Sequence, residues 1–243
     1  MKRTEYDNID IIGITHETYK DKTEKQLLQY YHKQEVNTVS YLLKKMNLQD
    51  FEQVIDLGTS IGVWYNDYKK FTFKKVIGVD ISSKRANEAK KRGYDEVHVC
   101  NAYDLPFEKE SHSCVVSNDV LVHVLQDSDK LKIFEEVKRV LKSKGIFIFN
   151  FANASGFGFN SDTDCGKAER LNIPETMINL VKDSGLKLEY IVPSYYTFPR
   201  IGAHPRMASI SSKIIFPFVD SILRKSKNHN LAKVIYLGVR KNN

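Results

Sequence analysis

The chain has 243 residues, of which 42% are hydrophobic and 28% charged, and its formal net charge is +7. This length and this balance favour one folded domain with some added segments, and they exclude a largely disordered chain. No apolar run has the length that a membrane-spanning helix needs, and the first ten residues lack the apolar segment of a secretory signal, so we expect a cytoplasmic protein.

The predicted elements alternate between helix and strand. Apolar residues recur at intervals of three and four over residues 21–47, which predicts an amphipathic N-terminal helix. Apolar runs predict seven strands, over residues 54–57, 75–79, 96–100, 113–117, 145–149, 187–192 and 232–239. Helices are predicted between them, over residues 61–68, 83–92, 129–141 and 174–184. This order predicts an α/β fold, with a Rossmann-like, mostly parallel sheet and helices on both faces, in a single domain over residues 1–243.

Two irregular segments interrupt the alternation, over residues 151–172 and 193–230. The first is rich in glycine, serine, asparagine and aspartate, and the second contains four of the six prolines. In open α/β sheets, ligands bind beyond the carboxyl ends of the strands. We therefore expect both segments to form the acceptor side of a binding site.

The stretch VIDLGTSIG, residues 54–62, places glycines at a strand-to-helix turn, where they allow positive φ and close approach of a ligand. A dinucleotide fingerprint would need glycines at positions 58, 60 and 63, but two of these are Ser60 and Val63, which argues against NAD binding. The pattern G-x-S-x-G is also matched, so a serine hydrolase using Ser60 is an alternative. Only a helix precedes this strand, and no HGGG-type segment lies upstream, which disfavours that alternative.

A third interpretation includes Asp56 and gives the pattern D-x-G-x-x-x-G. Asp80 closes the second predicted strand, where a carboxylate can accept hydrogen bonds from both hydroxyls of a ribose. NAYDLPF follows the third strand, VVSNDVLVH spans the fourth, and RVLKSKG precedes the fifth. In this order the set resembles the class I S-adenosylmethionine (SAM)-dependent methyltransferases, in particular the methyltransferase type 11 group that includes ubiquinone and menaquinone biosynthesis enzymes, over about residues 35–150.

The resemblance implies SAM as the cofactor. It places the methionine end at the glycine turn, the ribose at Asp80, the adenine edge at Asn101 and Ala102, and the transferred methyl group near Asn118. The full predicted cofactor site is Asp56, Gly58, Thr59, Ser60, Gly62, Asp80, Ile81, Asn101, Ala102 and Asn118. The chain departs from the family pattern at Ser60, where glycine is usual, and at Asn101, where aspartate is common.

The sequence offers one candidate general base and several candidate acceptor residues. His123 follows the fourth strand, and imidazole titrates close to neutral pH; the alternative is a residue packed under the sheet edge. The acceptor candidates combine aromatic rings with two basic side chains: Tyr31, Phe157, Tyr195, Arg200 and His204. The rings could equally pack in the core, and Arg200 with His204 could equally lie in a solvated loop, although arginine would suit an anionic acceptor.

These observations predict methyl transfer to an oxygen or nitrogen of a small molecule, which could be anionic. RNA, such as tRNA, is the alternative acceptor, because the net charge is positive, but no RNA-binding module is recognisable. The basic residues are scattered in twos and threes, as on solvated helix ends. The three cysteines are too few and too widely spaced for a zinc site, so no metal is expected.

Overall fold

The computed structural model describes residues 22–153, 174–196, 218 and 231–242. Its strands are β1 (Gln53–Leu57), β2 (Lys75–Asp80), β3 (Glu96–Val99), β4 (His112–Ser117), β5 (Leu141–Ala152), β6 (Leu186–Tyr195) and β7 (Val234–Lys241). Its helices are α1 (Lys22–Lys45), α2 (Tyr65–Lys70), α3 (Ser83–Lys91), α4 (Asp127–Val140) and α5 (Pro174–Asp183), with a short 3-10 helix at Leu121–His123. Among these residues, no helix is both long and apolar enough to cross a membrane.

The strands form one seven-stranded sheet in the order β3-β2-β1-β4-β5-β7-β6. β1 to β5 pair in parallel, and β7 lies antiparallel between β5 and β6. The predicted Rossmann-like, mostly parallel sheet is confirmed. Because β1 lies between β2 and β4, the strand order reverses there, which opens a crevice at the carboxyl ends of these strands.

Two apolar cores cover the two faces of the sheet, because successive strand residues point to opposite sides. Ile55 and Val115 belong to the core that includes residues of α4 and α5, whereas Val54 and Val116 belong to the core that includes residues of α1 and α2. The near-continuous apolar runs of the central strands follow from this double burial.

The boundaries differ from the sequence prediction most clearly in α2, β5 and β6. The helix predicted from Ile61 begins at Tyr65, because Ser60 and Gly62 have φ values of 50° and 81°, which a right-handed helix does not allow. β5 is longer than the predicted strand over residues 145–149 at both ends, because Leu141 pairs with His112 of β4 and Ala152 pairs with Val234 of β7. β5 and β6 therefore extend into the first residues of the two predicted insertions. Almost all the other residues of these insertions lie outside the described part.

Candidate active site

A cavity of about 520 Å³ lies at the carboxyl ends of β1 to β4. Each strand is followed by a short segment that contributes to its wall. The cavity brings together most of the predicted site: Gly58, Thr59, Ser60, Asp80, Ile81, Asn101, Ala102, Asn118 and His123. Residues far apart in sequence meet here because parallel strands end at the same edge of the sheet.

The turn after β1 is fixed to β2 by its own backbone. The N–H groups of Gly58 and Thr59 both donate to the carbonyl oxygen of Val79, at 2.7 and 2.9 Å. Gly58 has a φ of 82°, and a Cβ atom at this position would lie 2.0 Å from Cγ2 of Val120. Glycine is therefore required both by the backbone conformation and by the close approach of the loop after β4.

Asp80 is held by backbone donors on both of its carboxylate oxygens. Oδ2 accepts a hydrogen bond from the Ser60 N–H group, and Oδ1 accepts one from the Ser82 N–H group, each at 2.8 Å. Asp80 does not cap α3, since Ser82 is the N-cap residue and its hydroxyl accepts from the Arg85 N–H group. Asp80 also lines the cavity, so its oriented carboxylate lies at the cavity wall.

Asp56 does not line the cavity but is connected through Tyr68 to Asn118, which does. Its two carboxylate oxygens accept hydrogen bonds from the hydroxyls of Tyr68, at 2.9 Å, and Tyr94, at 2.5 Å. Burial raises the pKa of Asp56 to about 6, although both tyrosine hydrogen bonds act in the opposite direction. The direct cofactor contact predicted for Asp56 stays a prediction, and the structure gives this carboxylate a supporting position.

Asn118 lines the cavity and is fixed by two tyrosines. Its Nδ2 donates to the hydroxyl of Tyr68 at 3.2 Å, and its Oδ1 accepts from the hydroxyl of Tyr236 at 2.8 Å. The chain of hydrogen bonds thus runs from β7 through the cavity wall to Asp56. The sequence analysis did not identify Tyr68, Tyr94 or Tyr236, because a buried tyrosine in an apolar run has no local pattern that reports the partner of its hydroxyl.

Asp119, the next residue, also lines the cavity and was not predicted. Its N–H group donates to Oδ1 of Asn150 at 2.6 Å, and the Nδ2 of Asn150 donates back to Oδ1 of Asp119 at 2.8 Å. Asp119 has a φ of 57°, a conformation that aspartate tolerates better than most residues. The pairing with β5 therefore fixes the sharp bend that follows β4.

Some predicted residues lie away from this cavity. Gly62 allows the close approach of α3, since a Cβ atom there would lie 2.9 Å from Cα of Ala89. Tyr31 and Tyr195 stack on each other, with ring centroids 4.4 Å apart and planes at 12°, and neither is among the lining residues. Phe157, Arg200 and His204 lie outside the described residues. The site roles predicted for all of these residues remain predictions.

The position of Ser60 bears on the hydrolase alternative. Its hydroxyl oxygen is buried and has no hydrogen-bond partner among the described residues. A serine nucleophile needs a base, usually histidine, within hydrogen-bonding reach. His123 lies in the same cavity, but no hydrogen bond joins it to Ser60 in the described part. Asp220 and His229, which a hydrolase using Ser60 would need as its later acid and histidine, lie outside that part.

Comparison with known proteins agrees with this architecture. Residues 55–149 match the family described as a methyltransferase domain. An uncharacterised protein of Methanocaldococcus jannaschii is 30% identical over 135 residues, which cover 56% of this chain and 51% of that protein. An uncharacterised methyltransferase of Schizosaccharomyces pombe is 30% identical over 48% of this chain and 45% of its own length. The chain thus spans about half the length of the curated relatives it matches.

Solved structures show the same fold over most of the chain. Geranyl diphosphate C-methyltransferase from Streptomyces coelicolor superposes with a TM-score of 0.62 and 17% identity, over 92% of this chain and 85% of its own. Magnesium protoporphyrin IX methyltransferase from Synechocystis, solved with bound SAM, gives a TM-score of 0.60 and 14% identity, over 92% and 86%. At these identities the comparison establishes the fold, and the acceptors of those enzymes do not transfer to this chain.

Proposed function

Residues 55–149 carry a methyltransferase domain of the SAM-dependent class I family, and on that premise we propose that the chain transfers a methyl group from SAM to an oxygen or nitrogen of a small-molecule acceptor. The observation that carries the proposal is the pairing of the glycine turn with Asp80 in one cavity. The carboxylate is held ready by two backbone N–H groups. Such an arrangement suits a ribose, whose two hydroxyls are both donors.

The cavity fits SAM in size and in the chemistry of its lining. Its volume of about 520 Å³ lies within the usual range for small-molecule sites. The Ser60 hydroxyl, buried and without a partner among the described residues, offers a donor beside the glycine turn, where the carboxylate of the methionine end would lie. Asn101 and Ala102, which follow β3, also line the cavity, and the adenine edge is expected beside them.

The protein's task in this reaction is positioning. When bound, SAM supplies a methyl group on a sulfonium, which is already an excellent leaving group. Alignment of the acceptor and exclusion of water then provide most of the acceleration. Asn118, fixed by Tyr68 and Tyr236, is the residue best placed to orient the reacting groups, because both ends of its amide are held. His123 would act as general base if the acceptor loses a proton.

RNA remains the second candidate acceptor. The formal net charge of +7 supports it, but the described wall of the cavity carries three carboxylates, those of Asp80, Asp119 and Asp129, against the single guanidinium of Arg85. Carboxylates repel a phosphate backbone, which favours the small molecule. The anionic acceptor proposed from Arg200 and His204 depends on residues outside the described part.

The proposal is tested by binding and by transfer. We expect S-adenosylhomocysteine to bind the purified protein with measurable heat in isothermal titration calorimetry, and NADH to give none. Incubation with methyl-labelled SAM should then label a small-molecule cell extract more strongly than total tRNA. Absence of S-adenosylhomocysteine binding would contradict the cofactor assignment, whereas labelling of tRNA alone would select the RNA alternative.

A further inference from the structure

Trp64 is a buried indole at the cavity wall to which the proposed function gives no role. It is the only tryptophan of the chain, its residue is 6% exposed, and it directly precedes α2. Ser60 and Val63 line the cavity beside it. The other rings among the described lining residues are those of Tyr103, which follows β3, and His123. The position of the indole decides which part of a bound cofactor it contacts.

Two tight backbone turns keep Trp64 close to the glycine turn after β1. The Gly62 N–H group donates to the Thr59 carbonyl oxygen at 2.9 Å, and the Tyr65 N–H group donates to the Gly62 carbonyl oxygen at 3.3 Å. Each bond closes a turn of four residues, so the chain folds back between Ser60 and Trp64, and both residues line the same cavity. The indole therefore lies at the end of the cavity where the methionine part of SAM is expected.

Side chains from α1 and α2 hold the indole in place. The rings of Trp64 and Tyr68 have centroids 5.8 Å apart and planes at 32°, and the Tyr68 hydroxyl accepts from Nδ2 of Asn118 at 3.2 Å. His32 of α1 meets the indole edge to face, with centroids 4.9 Å apart and planes at 68°. Nε2 of His32 lies 2.9 Å from Oδ2 of Asp67, which fixes the imidazole. The indole is thus linked to the glycine turn by the backbone and, through Tyr68, to the residue expected near the transferred methyl group.

The sulfur of SAM is the part of the cofactor that suits an indole. It joins the methionine part to the adenosyl part, and its positive charge is dispersed over the carbon atoms around it. A cation within about 6 Å of an aromatic face is attracted to it, and indole is the best of the natural rings. Exclusion of water by burial strengthens this attraction. Of the described lining residues over 57–64, none carries a carboxylate, so the indole is the group of this segment suited to a cation.

We propose that the Trp64 indole packs against the sulfonium of SAM and makes the cavity select SAM over its product. This inference rests on the proposed function, since it assigns a selectivity residue to the same cofactor site. In the transfer, a lone pair of the acceptor forms the bond to the methyl carbon while the carbon–sulfur pair returns to sulfur. The sulfur thereby loses its charge, and S-adenosylhomocysteine is a neutral thioether. The indole no longer attracts it, which favours the exchange of product for fresh SAM.

Trp64→Leu tests this selectivity, because leucine keeps an apolar side chain but has no aromatic face. Isothermal titration calorimetry gives the Kd of SAM and the Kd of S-adenosylhomocysteine for each protein. We expect Trp64→Leu to weaken SAM binding by roughly 10-fold and S-adenosylhomocysteine binding by less than roughly 3-fold, since only the first ligand is a cation. Tyr103→Leu is the matched control. Its ring lines the cavity beside the expected adenine edge, which both ligands share, so both Kd values should change by the same factor.

The ratio of the two Kd values separates the possible outcomes. If Trp64→Leu weakens both ligands equally, or neither, the indole does not contact the sulfonium and the proposal is overturned. If Tyr103→Leu shows the same selective loss of SAM, the selectivity does not belong to Trp64, which also overturns it. Failure of the wild type to bind either ligand would instead count against the proposed function, so the two failures are distinguishable.

Tryptophan fluorescence gives a second readout on the unmodified protein, since Trp64 is its only tryptophan. Excitation beyond the tyrosine absorption band makes the emission report this indole alone. We expect saturating SAM to change the emission more than saturating S-adenosylhomocysteine does, because a positive charge beside the ring alters the energy of its excited state. Equal changes with the two ligands, or no change with SAM where calorimetry shows full binding, would contradict the proposal. This result does not depend on the folding of a variant.

Discussion

The two sides of the cavity are held in different ways. On the β1 and β2 side, Asp80 is oriented by the backbone N–H groups of Ser60 and Ser82. On the β4 side, Asn118 is oriented by side chains from α2 and β7, and Asp119 by a side chain from β5. Backbone donors persist whichever side chains surround them, whereas side-chain partners change with each substitution. The first arrangement suits an invariant nucleoside, and the second suits an acceptor that differs between enzymes.

The largest effect is an expected loss of cofactor affinity on the β1 and β2 side of the cavity, where backbone N–H groups hold Asp80. Asp80→Ala should weaken S-adenosylhomocysteine binding by roughly 100-fold or more, because two hydrogen bonds to a charged group, each about 1.5–3 kcal/mol, are lost. Asp95→Ala is the matched control: Asp95 also accepts from a backbone N–H group, that of Val76, but it does not line the cavity. Calorimetry measures both variants. Equal affinity of Asp80→Ala and the wild type would remove the ribose assignment.

The second largest effect concerns Asp56 and the pH dependence of the free energy of unfolding. Asp56 has a pKa of about 6 in the folded protein against an ordinary value of 3.8, so the unfolded chain loses its proton first as the pH rises. This group therefore lowers the free energy of unfolding between pH 3.8 and 6, by about 3 kcal/mol in all. Asp56→Asn cannot titrate, and it should gain stability relative to the wild type over that interval.

Urea unfolding of both proteins at pH 4, 5 and 6 measures this difference. Glu35 also has a raised pKa, but it is present in both proteins and cancels in the subtraction. A stability difference that stays constant with pH would show that Asp56 has no raised pKa. The hydrogen bonds from Tyr68 and Tyr94 would then stabilise its charged form more than burial disfavours it.

The smallest effect is expected for Tyr236→Phe, which tests whether the two sides of the cavity act independently. Tyr236→Phe removes the hydroxyl that donates to Asn118, which should lower the free energy of unfolding by about 1 kcal/mol. Because Asp80 keeps its backbone donors, S-adenosylhomocysteine binding should change less than roughly 3-fold, while methyl transfer to a labelled extract falls. If cofactor binding falls as much as transfer does, the two sides are not independent.

The sequence analysis succeeded where a feature is local and failed where it depends on a contact between distant residues. The turn at Gly58 and the position of Asp80 were predictable, because glycine conformation and the end of an apolar strand are local properties. The start of α2 was misplaced because nothing local indicates that Ser60 adopts a positive φ. Its φ of 50° accompanies the hydrogen bond from its N–H group to Asp80, a contact across twenty positions in sequence.

The sequence by itself determined the order of strands and helices, the parallel sheet and the meeting of the glycine turn with Asp80, since all three depend on hydrophobic period and on short turns. Only the tertiary structure decided that Asp56 bonds to Tyr68 and Tyr94 instead of lining the cavity, and that Tyr68 and Tyr236 hold Asn118. Those contacts join Asp56 of β1 to Tyr68 of α2, and Asn118, which follows β4, to Tyr236 of β7. Such long-range pairs leave no periodic signal, because each depends on how separate elements pack.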